Sequence, residues 1–173
     1  MFSRIFEATI QRGTASDRTV LDGLVHHTAM GSKAQLVYVY SLGPDEPSIP
    51  YPNRPGKVVY IGETQRETGA GRRFRGHISS SLTSGLSTNI NHTLSAYYHS
   101  GRQLHLQVFS VTNGRTTKAV ERIMLRTHLH NFGAYPLGQG STGRDNTPVE
   151  VSRLCTEEPH LHEQCAKVIG CAL

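Results

Sequence analysis

Apolar positions fall into short runs whose period changes along the chain. Phe2, Ile5, Phe6 and Ile10, then Val20, Leu21, Leu24 and Val25, recur at helical spacing. They predict two short amphipathic helices, the second capped by Ser16 or Asp17 and closed by Gly31. Leu36–Tyr40 and Lys57–Ile61 are β-branched and aromatic runs of strand length. They predict an antiparallel hairpin across a long loop, 43–56, that holds five Pro and two Gly. A loop of that length is either a binding element or an insertion. Phe74, Ile78 and Leu82 predict a helix over 67–82, although Gly69, Gly71 and Gly76 each disfavour it by about 1 kcal/mol. Residues 83–101 read as polar and irregular, and Leu104–Phe109 alternates as a half-buried third strand. Thr116 or Thr117 caps a helix reaching about Asn131, with a stripe of Val120, Ile123, Met124 and Thr127. A weak final helix closes the chain.

With 173 residues, 36% of them apolar, the chain has the size of one domain with a real core. No run approaches the ~20 apolar residues of a membrane span, and Arg4 and Glu7 interrupt any apolar leader, so the expected location is cytoplasmic. The three cysteines, Cys155, Cys165 and Cys171, fall within the last 19 residues and cannot staple the domain. With His160 and His162, Cys155 and Cys165 could ligate zinc, but the spacing matches no common finger, and simple tail thiols are the better reading.

Charge sharpens the picture. The net charge is +5, yet residues 51–144 carry twelve basic side chains against three acidic ones. Of the 18 basic residues 14 are Arg, whose planar fork suits phosphate. A polyanion partner is the expectation, against the blander alternative of a solvated basic surface.

On this frame Tyr38 and Tyr40 share one face of the first strand. Tyr60 precedes Ile61-Gly62, where backbone or ligand can come close. Arg73 and His77, four apart, neighbour one another on the expected helix. Glu121 flanks the later helix's apolar stripe and is the only acidic residue between Glu67 and Asp145. Cutting a phosphodiester needs a deprotonated water, a cation on the phosphate oxygens and stabilisation of the leaving oxygen. Tyr with His can supply the base, Arg the clamp, and Glu a ligand for Mg²⁺. Arg72, Arg73 and a metal are expected to lower the tyrosine's pKa.

Val-Tyr-x-Tyr in one strand, Val59-Tyr60-Ile61-Gly62 in the next, Arg73-x-x-x-His77, then Glu121 and Asn131-Phe132-Gly133-Ala134-Tyr135-Pro136-Leu137-Gly138 together resemble the GIY-YIG nuclease family over about residues 35–138. The resemblance implies an α+β fold, a small three-stranded antiparallel sheet flanked by helices. Short helical arms would precede it at 1–34 and follow it at 139–173. It implies a metal-dependent DNA endonuclease with one divalent cation, Mg²⁺ or Mn²⁺, held chiefly by Glu121. Tyr38 matches the first-motif tyrosine, the candidate for deprotonating the water, and Tyr60 the second. Arg73 matches the phosphate contact, His77 the tyrosine's assistant and Asn131 a downstream polar residue. Arg72, Arg75, Lys118, Arg122 and Arg144 are the further candidates for DNA contact. The first motif lacks its glycine, Leu36 standing there if Tyr38 is the match, which keeps Tyr40 as an alternative.

The chain looks more like a stand-alone restriction or phage-type nuclease than a repair enzyme, with no membrane association. Because one such site cuts one strand, a homodimer is a possible arrangement for double-strand cleavage. The rival readings are a non-catalytic nucleic-acid-binding module of the same fold, and a regulatory protein whose acidic tail covers the basic cleft.

Overall fold

A computed structural model describes residues 2–65, 69–81, 90–112, 117–140, 156 and 159–170. Its centre is a four-stranded antiparallel sheet of β1 (Phe2–Ile10), β2 (Leu36–Leu42), β3 (Val58–Thr64) and β4 (Leu104–Val111), in the order β1-β4-β2-β3. The α+β class stands, but the three-stranded sheet and the helical N-terminal arm do not. Residues 2–10 form an edge strand running from Phe2 opposite Val111 to Ile10 opposite Leu104. The cause of the misreading is local. A register shift between Arg4 and Phe6 interrupts the two-residue alternation, so that residues 2, 5, 6 and 10 imitate a helical stripe. Phe2 stacks on Phe109 with ring centroids 4.8 Å apart, fixing the new edge to the core.

The hairpin of β2 and β3 forms as the sequence predicts, with Tyr38 opposite Gly62 and Tyr40 opposite Tyr60. β2 lies between β3 and β4, and Leu36–Tyr40 is buried throughout, which explains an apolar run without polar alternation. The loop 43–56 packs back on the domain. Ile49 bridges to Gly56, buried Tyr51 donates to the Val58 carbonyl at 2.6 Å, and Arg54 lies 4.6 Å from the centre of the Phe132 ring.

Between the strands lie α1 (Val20–Gly23) and α2 (His92–His99); α3 (Thr117–Phe132) and α4 (Pro159–Val168) follow β4. After α1 come 3₁₀ turns at Leu24–His26 and Thr28–Met30 instead of one continuous helix, burying Leu21, Leu24 and Met30. α3 packs against β3 and β2, and α4 covers α3 with Leu161, Cys165 and Ala166.

The helix expected over 67–82 is replaced by a 3₁₀ segment, Ala70–Gly76. Gly69 adopts a φ of 103°, a conformation that excludes a helix there, and Gly71 sits so close to the Leu24 carbonyl that a side chain would collide. Leu82 lies outside the described residues. α2 was not foreseen. Its Asn91 cap accepts from Leu94 N at 3.0 Å, and it buries little beyond Leu94, Ser95 and Tyr98. No helix among the described residues is long and apolar enough to cross a membrane.

Candidate functional site

The pairing of β2 with β3 puts Tyr38, Tyr40 and Tyr60 on one face, and the 3₁₀ segment lowers Phe74 and His77 onto them. His77, 2% exposed, is held between two hydroxyls. Tyr40 Oη lies 3.0 Å from Nδ1 and Tyr38 Oη 3.5 Å from Nε2. A neutral imidazole has one donor and one acceptor, so one tyrosine gives a proton to the ring while the other receives one. Arg73 Nε donates to Tyr38 Oη at 3.5 Å, and the guanidinium also hydrogen-bonds the Tyr60 hydroxyl. Tyr38 and Tyr60 ring centroids are 6.0 Å apart. The expected Tyr38, Tyr60, Arg73 and His77 therefore do come together, and Tyr40 joins them. Arg73 and His77 meet through a 3₁₀ segment and its cap instead of along one α-helical face.

Burial divides the tyrosines into two roles. Tyr38 and Tyr40 are fully buried, and loss of solvent pushes both hydroxyls well above the ordinary phenol range. Tyr60 adds to that rise at Tyr38, and the opposing pull of Arg73 is smaller. The arginines thus do not turn Tyr38 into a ready base. Tyr60 is only partly buried and lines a cleft of about 470 Å³ together with Arg73, His77, Asn91, His92 and Gln139.

The cleft's far wall comes from the segment after α3. Gly138 N donates to Val59 O at 2.7 Å, and Asn91 Nδ2 donates to Gly138 O at 2.9 Å. Gln139 Oε1 accepts from Ile61 N at 3.4 Å. A Cβ on Gly138 would stand 2.9 Å from Val59 O, so glycine permits this close approach. Asn91 and Gln139 were absent from the sequence reading because their placement depends on contacts distant in the chain.

Glu121 arrives on α3. Burial raises its carboxyl to a pKa of about 7, with the nearby Glu63 charge adding to the rise and Arg122, Arg73 and Lys118 opposing it. Glu63, also missed, accepts from Thr117 Oγ1 at 2.6 Å. By strand alternation Glu63 leaves β3 on the face opposite Gly62 and Thr64. β3 is an edge strand, so the two faces meet along its side, and Arg73 acts on both. It hydrogen-bonds the tyrosines and also lines a second cavity, of about 440 Å³, with Glu63, Thr64, Gln65 and Lys118. Glu121 lines neither cavity. An acidic pair of this kind suits a hard divalent cation, which would take oxygen ligands from Glu121 and Glu63.

The remaining candidates separate. Asn131 donates back to Thr127 O at 2.9 Å within its own helix, and no hydrogen bond among the described residues brings it to the tyrosine cluster. Arg72 and Lys118 are exposed. Arg75 pairs with Asp22 at 3.4 Å, on the side of the N-terminal segment. Arg122 is 9% exposed, which makes it a buried neighbour of Glu121 instead of a surface contact for DNA. Arg144 and Cys155 lie outside the described residues, as does the proposed cap Thr116. Cys165 is buried on α4 itself.

Comparison with protein-family models, curated proteins and solved structures gives no match.

Proposed function

We propose that this protein is a metal-dependent DNA endonuclease that hydrolyses phosphodiester bonds at the cleft beside Tyr60. One observation carries the reading: Arg73 hydrogen-bonds a tyrosine–histidine cluster and also acts electrostatically on the Glu121 carboxyl. The Arg73 guanidinium is the clamp for the phosphate oxygens, where negative charge develops in the transition state. The proton of the attacking water passes to Tyr60 as Tyr60's own proton moves through Tyr38 to His77 Nε2, with Nδ1–H donated to Tyr40. In this arrangement His77 is the final proton acceptor, and the buried Tyr38 and Tyr40 orient it. Glu121, with Glu63, would hold Mg²⁺ or Mn²⁺, which would neutralise phosphate charge and the charge on the leaving oxygen as its bond to phosphorus breaks. That oxygen then takes a proton from solvent.

The test is nicking of supercoiled plasmid DNA with Mg²⁺ or Mn²⁺, for the wild type and for Glu121→Ala. Metal-dependent nicking by the wild type that Glu121→Ala abolishes, with DNA binding kept, supports the reading. DNA binding by the wild type without nicking in either metal supports the non-catalytic binding module. Equal nicking by both proteins removes Glu121 from the mechanism.

A further inference from the structure

The second cavity contains a feature that cleavage at the Tyr60 cleft does not use. Thr64, the last residue of β3, is 4% exposed and lines this cavity, and its buried hydroxyl has no hydrogen-bond partner among the described residues. A buried donor without a partner is destabilising, and such groups are usually satisfied by protein, water or ligand. Arg73 and Lys118 line the same cavity, and Thr117 and Lys118 form the start of the 16-residue α3, the positive end of its dipole. Glu63 is the one carboxylate in the wall among the described residues, and its Oε2 is engaged by Thr117 Oγ1. Among the described residues the wall thus carries two cations and one occupied carboxylate, beside a hydroxyl with no partner there.

From these contacts we propose that the cavity is a phosphate subsite, holding the backbone phosphate next to the one that is cut. This rests on the nuclease reading. Arg73 lines both cavities and is thus their shared wall, so a strand whose scissile phosphate meets Arg73 in the Tyr60 cleft continues past it. In the second cavity Lys118 supplies charge, Thr64 Oγ1 donates a hydrogen bond and Gln65 flanks the entrance.

The experiment has two arms. In the first, binding of a labelled oligonucleotide duplex is followed by fluorescence anisotropy in Ca²⁺ over a range of salt, for the wild type, Lys118→Gln and Thr64→Val. Lys118→Gln is expected to lower the slope of log affinity against log salt by about 1. Thr64→Val is expected to weaken binding by about 3- to 10-fold while raising Tm, since it removes a buried unpaired hydroxyl. A single methylphosphonate next to the cut should weaken wild-type binding and have no further effect on Lys118→Gln. In the second arm, inorganic phosphate is titrated into the protein, and the Thr64 and Lys118 amide resonances should shift together, a response lost in Lys118→Gln. Wild-type DNA cleavage with an unchanged salt slope and unchanged methylphosphonate sensitivity in Lys118→Gln overturns the subsite and leaves the nuclease reading intact. Failure of the wild type to bind DNA, with phosphate still shifting Thr64 and Lys118, overturns the nuclease reading and keeps an anion site. Absence of both responses overturns the proposal.

Discussion

Gly62 faces Tyr38 across the β2–β3 ladder, and a Cβ at position 62 would stand 2.5 Å from the Tyr38 hydroxyl oxygen. Gly62 therefore leaves the space in which Tyr38 lies, and that lets Tyr38 reach both His77 and Arg73. Gly62→Ala should push the Tyr38 ring away from this position. We expect a loss of stability of about 1–3 kcal/mol in urea denaturation and at least about a tenfold fall in nicking rate. Unchanged nicking in Gly62→Ala would separate the Tyr38 position from activity.

Tyr60→Phe and Tyr38→Phe should both depress nicking but differ in stability. Tyr60 faces the cleft, so its hydroxyl matters chiefly to the reaction, with an expected loss of about 10²-fold or more and little change in Tm. Removing the Tyr38 hydroxyl takes away one buried contact each of His77 Nε2 and Arg73 Nε, at a cost of about 1 kcal/mol or more. Thermal unfolding of the two variants side by side reads this difference.

Glu121 gives the metal-free protein a defined pH dependence. Its carboxyl has a folded pKa of about 7, above the ordinary 4.5, so the folded state holds the proton more tightly than the unfolded state. This stabilises below pH 4.5 and is lost as pH rises through 7. In EDTA, Glu121→Gln should therefore be the more stable protein at pH 8, by about 1–3 kcal/mol, with the advantage shrinking toward acid. Denaturant titrations at a series of pH values check this, and a constant difference would contradict the raised carboxyl.

His128 acts in the opposite sense. It is fully buried, its Nδ1 donates to Ala134 O at 2.8 Å, and its Nε2 has no partner among the described residues. Burial lowers its pKa below the ordinary 6.5, more than the bond to Ala134 raises it. The unfolded chain then takes up the proton first, and stability falls as pH drops below 6.5 toward the folded value. His128→Phe should remove this part of the acid sensitivity. Because the Glu121 and His128 effects overlap with opposite signs, each is read in the difference between the wild type and its own variant.

What could be read from sequence followed local rules, and what was lost depended on distant contacts. The runs at Leu36–Tyr40, Lys57–Ile61 and Leu104–Phe109 declared their strands through β-branched and aromatic residues, and α3 declared itself through its stripe. The order Tyr38, Tyr60, Arg73, His77 marked a cluster that the sheet register then assembled. β1 was hidden by a bulge that shifted its alternation, and the expected helix over 67–82 failed where close packing demands glycine at 71. Arg122 reads as a surface cation beside Lys118, yet the packing of α3 buries it. Glu63, Thr64, Asn91 and Gln139 carry no local signature, since the cavities they line exist only once β3, α2 and the segment after α3 meet.

The central claim is that Arg73 unites the tyrosine–histidine cluster and the Glu121 carboxyl in one reaction centre. Single-turnover nicking rates for the wild type, Arg73→Ala, Glu121→Ala and the double variant test it most directly. Each single change should lower the rate by about 10³-fold or more, and the double variant should be no slower than the worse single variant, as for groups that act as a unit. Wild-type rates in either single variant, or losses that simply multiply in the double variant, would contradict it.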